Sequence, residues 1–106
     1  MNSRYEKKLY LGFLNMHILS HASKEPIYGV WMIEELNHHG YHVGPSHIYP
    51  ILKEMVKEGL LEVYENSESG RMRKYYRITE RGKEVLTALN TKLKELTGEV
   101  RKKETN

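Results

Sequence analysis

A turn followed by a basic strand is the feature that most restricts how this chain folds. Residues 67–78 read Ser-Glu-Ser-Gly-Arg-Met-Arg-Lys-Tyr-Tyr-Arg-Ile. Ser69 and Gly70 favour a turn, and the aromatic residues that follow favour a strand. Alternation predicts two faces, Met72, Lys74, Tyr76 and Ile78 on one and Arg71, Arg73, Tyr75 and Arg77 on the other. A basic, solvent-facing ribbon of this kind suits a polyanion, and nucleic acid is the commonest candidate.

The positive charge of the chain begins at this turn. Residues 1–66 contain 6 Lys and Arg against 8 Glu, whereas residues 67–106 contain 11 Lys and Arg against 6 Glu. A length of 106 residues predicts one domain. The absence of cysteine excludes disulfides and thiolate metal sites. The N-terminus has no long apolar run, so we expect no signal peptide, no membrane contact and a cytoplasmic location.

Three helices are predicted ahead of the basic strand, over residues 5–20, 27–38 and 45–58. Pro26 suits the start of the second helix and Gly40 its end. The predicted apolar faces are Leu9, Phe13 and Met16, widened by Leu11, Leu14 and Ile18; then Ile27, Val30, Ile33 and Leu36; then Ile48, Leu52, Met55 and Val56. A strand then begins near Leu60, in which Leu61 and Val63 are expected to pair with Ile78 and Tyr76.

A final helix is predicted after Thr79, which is a good N-cap residue. Its apolar residues repeat at intervals of 3, 4, 3 and 4, as in a heptad, and are Leu86, Leu89, Leu93, Leu96 and Val100. The stripe indicates either a helix that associates with a second copy or a helix that packs on its own domain. A polar tail is expected after Val100.

Two helices joined by a short Gly-containing turn and followed by a hairpin describe a winged helix-turn-helix. We therefore predict a mainly α fold with a small β-hairpin, in which residues 45–58 enter the major groove and residues 62–78 form the wing. The groove helix has two Lys against two Glu, so the wing supplies most of the phosphate neutralisation. The residues expected to contact double-stranded DNA are Ser46, His47, Tyr49, Lys53, Arg71, Arg73, Lys74, Tyr75 and Arg77.

Four segments of the chain resemble the PadR family. They are residues 26–29 (Pro-Ile-Tyr-Gly), 44–52 (Gly-Pro-Ser-His-Ile-Tyr-Pro-Ile-Leu), 58–61 (Glu-Gly-Leu-Leu) and 70–79 (Gly-Arg-Met-Arg-Lys-Tyr-Tyr-Arg-Ile-Thr). The resemblance implies a dimeric transcription regulator, usually a repressor, that a small effector releases from DNA. It also implies that the helix around Ser46, His47 and Tyr49 and the wing around Arg73 and Lys74 contact the operator.

The same resemblance implies a division of the chain into two parts. Residues 1–78 would form the DNA-binding domain, and residues 79–106 the C-terminal dimerisation helix with its polar tail. The chain resembles the short subgroup that lacks a larger C-terminal domain. The competing function is a winged helix that binds a partner protein without binding DNA.

Several side chains have a structural alternative to a functional role. Trp31 either packs at the domain edge against the first helix or stacks on a flat aromatic or hydrophobic effector. Tyr49 either packs against the wing or contacts the DNA backbone, and the wing arginines could form an ordinary solvated face. No phosphate loop, nucleophile grouping or carboxylate pair is evident, so we expect no enzymatic activity and no cofactor.

Six histidines raise the question of a metal. His17 and His21 have the spacing of two zinc ligands on a helix, and the others include His38, His39 and His42 near a helix end. No third ligand is evident beside either group, and the chain contains no Asp. We therefore expect surface or capping histidines and no metal.

Overall fold

Four helices surround a small antiparallel sheet in the computed structural model, which describes residues 3–68 and 70–105. The elements are α1 (Arg4–Lys24), β1 (Ile27–Tyr28), α2 (Gly29–His38), α3 (Pro45–Lys57), β2 (Leu61–Glu68), β3 (Arg71–Ile78) and α4 (Glu80–Thr105). The predicted mainly α fold with a β-hairpin is confirmed. Within the described residues, no helix combines the length and apolar character needed to cross a membrane.

The hairpin register agrees with the expected pairs. Leu61 lies opposite Ile78, and Val63 lies opposite Tyr76. Gly70 has a φ of 76°, a left-handed conformation that glycine adopts without steric cost. Ser69, the other residue of the predicted turn, lies outside the described residues.

A third strand was not predicted. Ile27 and Tyr28 pair with Tyr76 and Tyr75, which gives the strand order β1-β3-β2, and α2 starts only at Gly29. Helical spacing placed Ile27 in the second helix, but its pairing with β3 depends on a partner almost fifty residues away. Ile27 is nonetheless fully buried, as an apolar residue of either element would be.

The helix boundaries have local causes. Gly40, with a φ of 90°, follows α2, and Pro45 occupies the first turn of α3. Thr79 caps α4 as predicted, because its Oγ1 accepts a hydrogen bond from the Gly82 amide at 3.0 Å. The same hydroxyl donates to the Gly59 carbonyl at 2.6 Å and so joins the start of α4 to the end of α3.

The core lies between α1, α2, α3 and the inner face of the sheet. Its fully buried side chains include Leu14, Ile18, Met32, Leu36, Ile48, Leu52 and Leu61. Leu9 and Phe13 of α1 are exposed, because the core contacts only the other side of the broad apolar face of that helix. The prediction that Val30 lies in the core is also wrong. Val30 is exposed, and Met32 of the same helix faces the core.

The last helix is longer than expected. Residues after Val100 were predicted to form a polar tail, yet α4 continues to Thr105, and Asn106 lies outside the described residues. The polar composition of this end is typical of a solvated helix and does not by itself end one.

Candidate nucleic-acid interface

The wing has the two faces that alternation predicts. On the inner face Tyr76 is buried and Ile78 is half-buried, while Arg71, Arg73 and Arg77 are exposed on the outer face. Met72 and Lys74 belong to the inner face but are also exposed, because the hairpin extends beyond the core at this end. The distal half of the wing therefore presents cations on both sides.

Aromatic rings and guanidinium groups alternate across the outer face. The Tyr75 ring lies 5.7 Å from the Tyr64 ring in a stacked arrangement and 5.5 Å from the Tyr28 ring edge-on. The Arg73 guanidinium lies 4.5 Å from the centroid of Tyr28, and the Arg77 guanidinium lies 4.8 Å from that of Tyr64. We call these five residues the aromatic ladder. Within the aromatic ladder Arg73 is oriented by contact with Tyr28 of β1, the strand that was not predicted.

The two arginines of the aromatic ladder differ in their electrostatic surroundings. Glu62 lies opposite Arg77 in the register, and its carboxylate accepts a hydrogen bond from the Arg77 Nε. The positive charge of Arg77 is therefore partly compensated at the base of the wing. Asn66 lies opposite Arg73, so no carboxylate occupies the corresponding register position. Glu65 and Glu68 lie opposite Lys74 and Arg71, so Arg73 is the one cation of β3 whose register partner is not a carboxylate.

Helix α3 presents a polar face opposite its buried side. Ile48, Leu52 and Met55 are buried in the core, with the spacing of one helical face. Among the residues predicted to contact DNA, Ser46, Tyr49 and Lys53 are exposed on the other side of the helix. The helix runs through Pro50, which has no amide hydrogen, so the Ser46 carbonyl lacks the usual helical donor.

His47 is exposed, and its side chain also caps the first turn of α3. Its Nδ1 accepts a hydrogen bond from the Gly44 amide at 3.3 Å. In the neutral imidazole the proton then lies on Nε2, which leaves an N–H donor available to an acceptor outside the protein. This capping role was not predicted, although a histidine three residues after Gly44 is a sequence signal for it.

An open cleft separates α3 from the wing. Tyr49, Arg73, Lys74 and Tyr76 contribute to its lining, together with the start of α2. Tyr49 packs against Gly29, where an added Cβ atom would overlap the phenol ring, yet 42% of Tyr49 remains exposed. Burial, assisted by nearby Tyr49, raises the pKa of the Tyr76 hydroxyl, so this ring stays neutral. Tyr49 therefore contacts α2 as well as lining the cleft, and it does not pack only against the wing.

The heptad residues of α4 divide between the core and the surface. Leu86 is buried and Leu93 is half-buried, whereas Leu96 and Val100 are 58% and 46% exposed. Leu89 is 37% exposed and adjoins Phe13 in an apolar groove between α1 and α4. The burial of Leu86 agrees with a helix that packs on its own domain, and association with a second copy stays a prediction.

Trp31 contacts the first helix. Its half-buried ring lies edge-on to the ring of His21 in α1, with the centroids 5.6 Å apart. This agrees with the interpretation that Trp31 packs at the domain edge. Binding of an effector by Trp31 stays a prediction.

The expectation that no third ligand lies near the α1 histidines is wrong. Packing of α2 on α1 brings Glu35 and His39 close to His21. Glu35 and His39 both follow His21 by more than a dozen positions in the chain, so helical spacing on α1 alone could not indicate the group.

Comparisons with known proteins agree on one family. Residues 18–88 match the model of the transcriptional regulator PadR-like family. The chain is 39% identical over 87 residues to the transcriptional regulator Rv3488 of Mycobacterium tuberculosis, a match that covers 82% of this chain and 81% of the relative.

Solved structures extend the likeness to the fold. A PadR-like transcriptional regulator from Bacillus cereus superimposes with a TM-score of 0.85 at 34% identity, covering 93% of this chain and 98% of that one. A PadR family regulator from Eggerthella lenta gives a TM-score of 0.79 at 32% identity, covering 96% and 91%. The chain therefore belongs to the PadR-like family of transcriptional regulators.

Proposed function

We propose that this PadR-like regulator binds a specific sequence of double-stranded DNA as a homodimer and represses transcription until a small effector releases it. The observation that carries the proposal is the open cleft that Tyr49 of α3 lines together with the wing cations Arg71, Arg73 and Lys74. In this proposal residues 1–78 form the DNA-binding domain, and residues 79–106, nearly all of them in α4, form the dimerisation segment.

Sequence specificity in this proposal comes from α3. Ser46, His47 and Tyr49 lie at its exposed N-terminal part, which is the part of a recognition helix that reaches base edges. The Nε2–H of His47 can donate to the N7 or O6 acceptors of guanine in the major groove. Lys53, one turn further along the exposed face, is assigned to a phosphate.

Affinity comes mainly from the wing. Arg71, Arg73 and Lys74 lie towards its tip and neutralise phosphates, which releases counterions. Tyr75 orients the cations through the aromatic ladder, and Arg77 contributes less because Glu62 already compensates its charge. This division of labour follows from the charge of α3, in which Lys53 and Lys57 are balanced by Glu54 and by Glu58 at the C-cap.

Dimerisation is assigned to α4 together with α1. Leu86 and Leu93 hold α4 on its own domain, and Leu89, Leu96 and Val100 supply the apolar surface for a second copy. Exposed Phe13 adjoins that surface. Burying these side chains against a symmetric partner removes apolar area from water, at about 25 cal/mol per Å².

A small aromatic or hydrophobic effector has a second possible site besides Trp31. A cavity between α1 and α4 is lined mainly by apolar and aromatic side chains, among them Phe13, Tyr41 and Leu93. Because the cavity adjoins the proposed dimer surface, a ligand there would alter the spacing of the two DNA-binding domains. That coupling is the physical basis on which an effector would release the repressor.

Selection of bound sequences from random duplex DNA tests the function. A two-fold symmetric dimer should select an inverted repeat whose half-sites lie about 10 or about 20 base pairs apart. Affinity for the selected duplex, measured by fluorescence anisotropy, should fall steeply as salt concentration rises. A scrambled duplex of equal length is the control. Absence of duplex affinity even at low salt would contradict the proposal and favour the protein-binding alternative.

Repression and release need separate measurements. Placing the selected operator over a promoter in a transcription reaction in vitro should reduce transcript when the protein is added. Aromatic compounds that free the operator should also change Trp31 fluorescence if Trp31 forms the effector site. A compound that releases DNA and leaves the spectrum unchanged would remove Trp31 from the site and favour the α1–α4 cavity.

A further inference from the structure

Three potential metal ligands from two helices meet where α2 packs on α1. His21 lies on α1, and Glu35 and His39 lie one turn apart at the end of α2. Their ligand atoms are all within 4.8 Å of one another, and the His39 Nε2 is 3.2 Å from a Glu35 carboxylate oxygen. Donor atoms around a tetrahedral zinc ion with bonds of about 2.0–2.1 Å lie about 3.3 Å apart, so small side-chain movements suffice.

A third imidazole adjoins this group. The centroid of the His17 ring lies 5.3 Å from that of His39 and 6.3 Å from that of His21. The His17 Nδ1 is buried and has no hydrogen-bond partner, which is uncommon for a buried polar atom.

We propose that His21, Glu35 and His39 bind a divalent transition metal ion, with Zn²⁺ as the best match, and that the ion clamps α1 to the end of α2. Two imidazole nitrogens and one carboxylate oxygen form a recognised protein zinc ligand set. The same donors suit Mg²⁺ and Ca²⁺ poorly, because those ions prefer oxygen ligands. His17 adjoins the group as an additional nitrogen donor.

The position of the site gives the clamp a structural consequence. His39 is the C-cap residue of α2, immediately before the turn that leads into α3. Within that turn Asn37 already holds Val43, by accepting from its amide at 3.1 Å and donating to its carbonyl at 2.9 Å. A metal ion bound to His39 would add a second link between this turn and α1, beside the hydrogen bond that the His42 amide donates to the Tyr10 hydroxyl at 3.2 Å.

Metal titration of the full chain, produced without an affinity tag and stripped with chelator, tests the proposal. Calorimetry with ZnCl₂ should show saturable binding of one ion per chain. Co²⁺ should give the visible absorption of a tetrahedral nitrogen and oxygen site and should quench Trp31, whose ring contacts His21. His39→Ala and Glu35→Gln should each weaken Zn²⁺ binding at least about tenfold.

Neighbouring residues of the same helix supply matched controls. His38→Ala and Glu34→Gln make the same chemical changes at exposed positions outside the group and should leave Zn²⁺ affinity at the wild-type value. Circular dichroism should show the same helix content for all four variants, and Glu35→Gln keeps the shape of the side chain. Failure of the wild-type chain to bind one Zn²⁺ would overturn the proposal. So would wild-type affinity in both His39→Ala and Glu35→Gln.

Discussion

The guanidinium group of Arg73 in the wing lies 4.5 Å from the centroid of the Tyr28 ring, in a strand of only two residues. Tyr28 in turn contacts Tyr75, its partner in the β1–β3 ladder. Arg73 is therefore oriented by a residue of β1, the strand that pairs with the edge of β3 that β2 does not occupy. A long arginine side chain that is already oriented loses less conformational freedom when it binds a phosphate.

This contact predicts an energetic coupling between Arg73 and Tyr28. A double-mutant cycle with Arg73→Ala and Tyr28→Ala should give about 0.5–1 kcal/mol, the value of a cation–π pair at an exposed site. Urea unfolding at one fixed protein concentration measures it. Pairing Tyr28→Ala with Arg71→Ala is the control and should give additive effects. An additive result for Arg73 as well would show that the contact contributes no stability.

The wing cations should control salt dependence. Arg73→Ala and Lys74→Ala should each weaken binding to all duplexes alike and reduce the slope of log K against log salt by about 1.8 for the dimer, because each subunit loses one phosphate contact. Anisotropy titrations over a range of salt concentrations provide the measurement. Lys94→Ala makes the same change of charge on α4, away from the wing, and should preserve the slope. Unchanged slopes in both wing variants would exclude direct phosphate contacts by these residues.

His47 should determine base preference. His47→Ala is expected to relax discrimination at one position of each half-site, which corresponds to about 1–3 kcal/mol for the preferred base pair. Repeating the random-duplex selection with the variant measures the change. His42→Ala removes an exposed histidine from the turn before α3 and should select the wild-type sequence. If His47→Ala weakens all sites by one common factor, direct readout by this residue is wrong.

The exposed end of α4 should set the oligomeric state. Leu96→Glu introduces a charge into the proposed apolar interface and should shift the protein from dimer towards monomer. Sedimentation velocity at several concentrations measures the shift. Thr91→Glu adds the same charge on the opposite side of the helix and should remain dimeric. A Leu96→Glu protein that dimerises like the wild type would move the interface elsewhere.

Two glycines of α4 should respond to alanine in opposite directions. A Cβ atom at Gly82 would overlap the Leu60 carbonyl, so Gly82→Ala should destabilise the fold by about 1–3 kcal/mol. No atom lies within 4 Å of the corresponding position at Gly98, and there alanine should stabilise the helix by about 0.5–1 kcal/mol. Urea unfolding of both variants tests the contrast. Equal effects would contradict the close packing at Gly82.

Much of the fold could be predicted because its signals are local. Pro45 and Gly40 mark helix boundaries through their own backbone preferences, and Thr79 caps α4 with its own hydroxyl. Alternation along β3 similarly places Tyr76 and Arg77 on opposite faces whatever lies nearby. The residues proposed to contact DNA were identifiable for the same reason, since the exposed side of α3 follows from its buried stripe.

The sequence by itself determined the order of the four helices and the two wing strands, the two faces of the wing and the charge contrast between wing and groove helix. Only the tertiary structure decided that Ile27 and Tyr28 form a strand, that Tyr28 supports Arg73, and that Glu35 and His39 meet His21. The physical reason is distance along the chain. Helical and strand periodicity arise from neighbouring residues, whereas these contacts exist only after packing brings separate elements together.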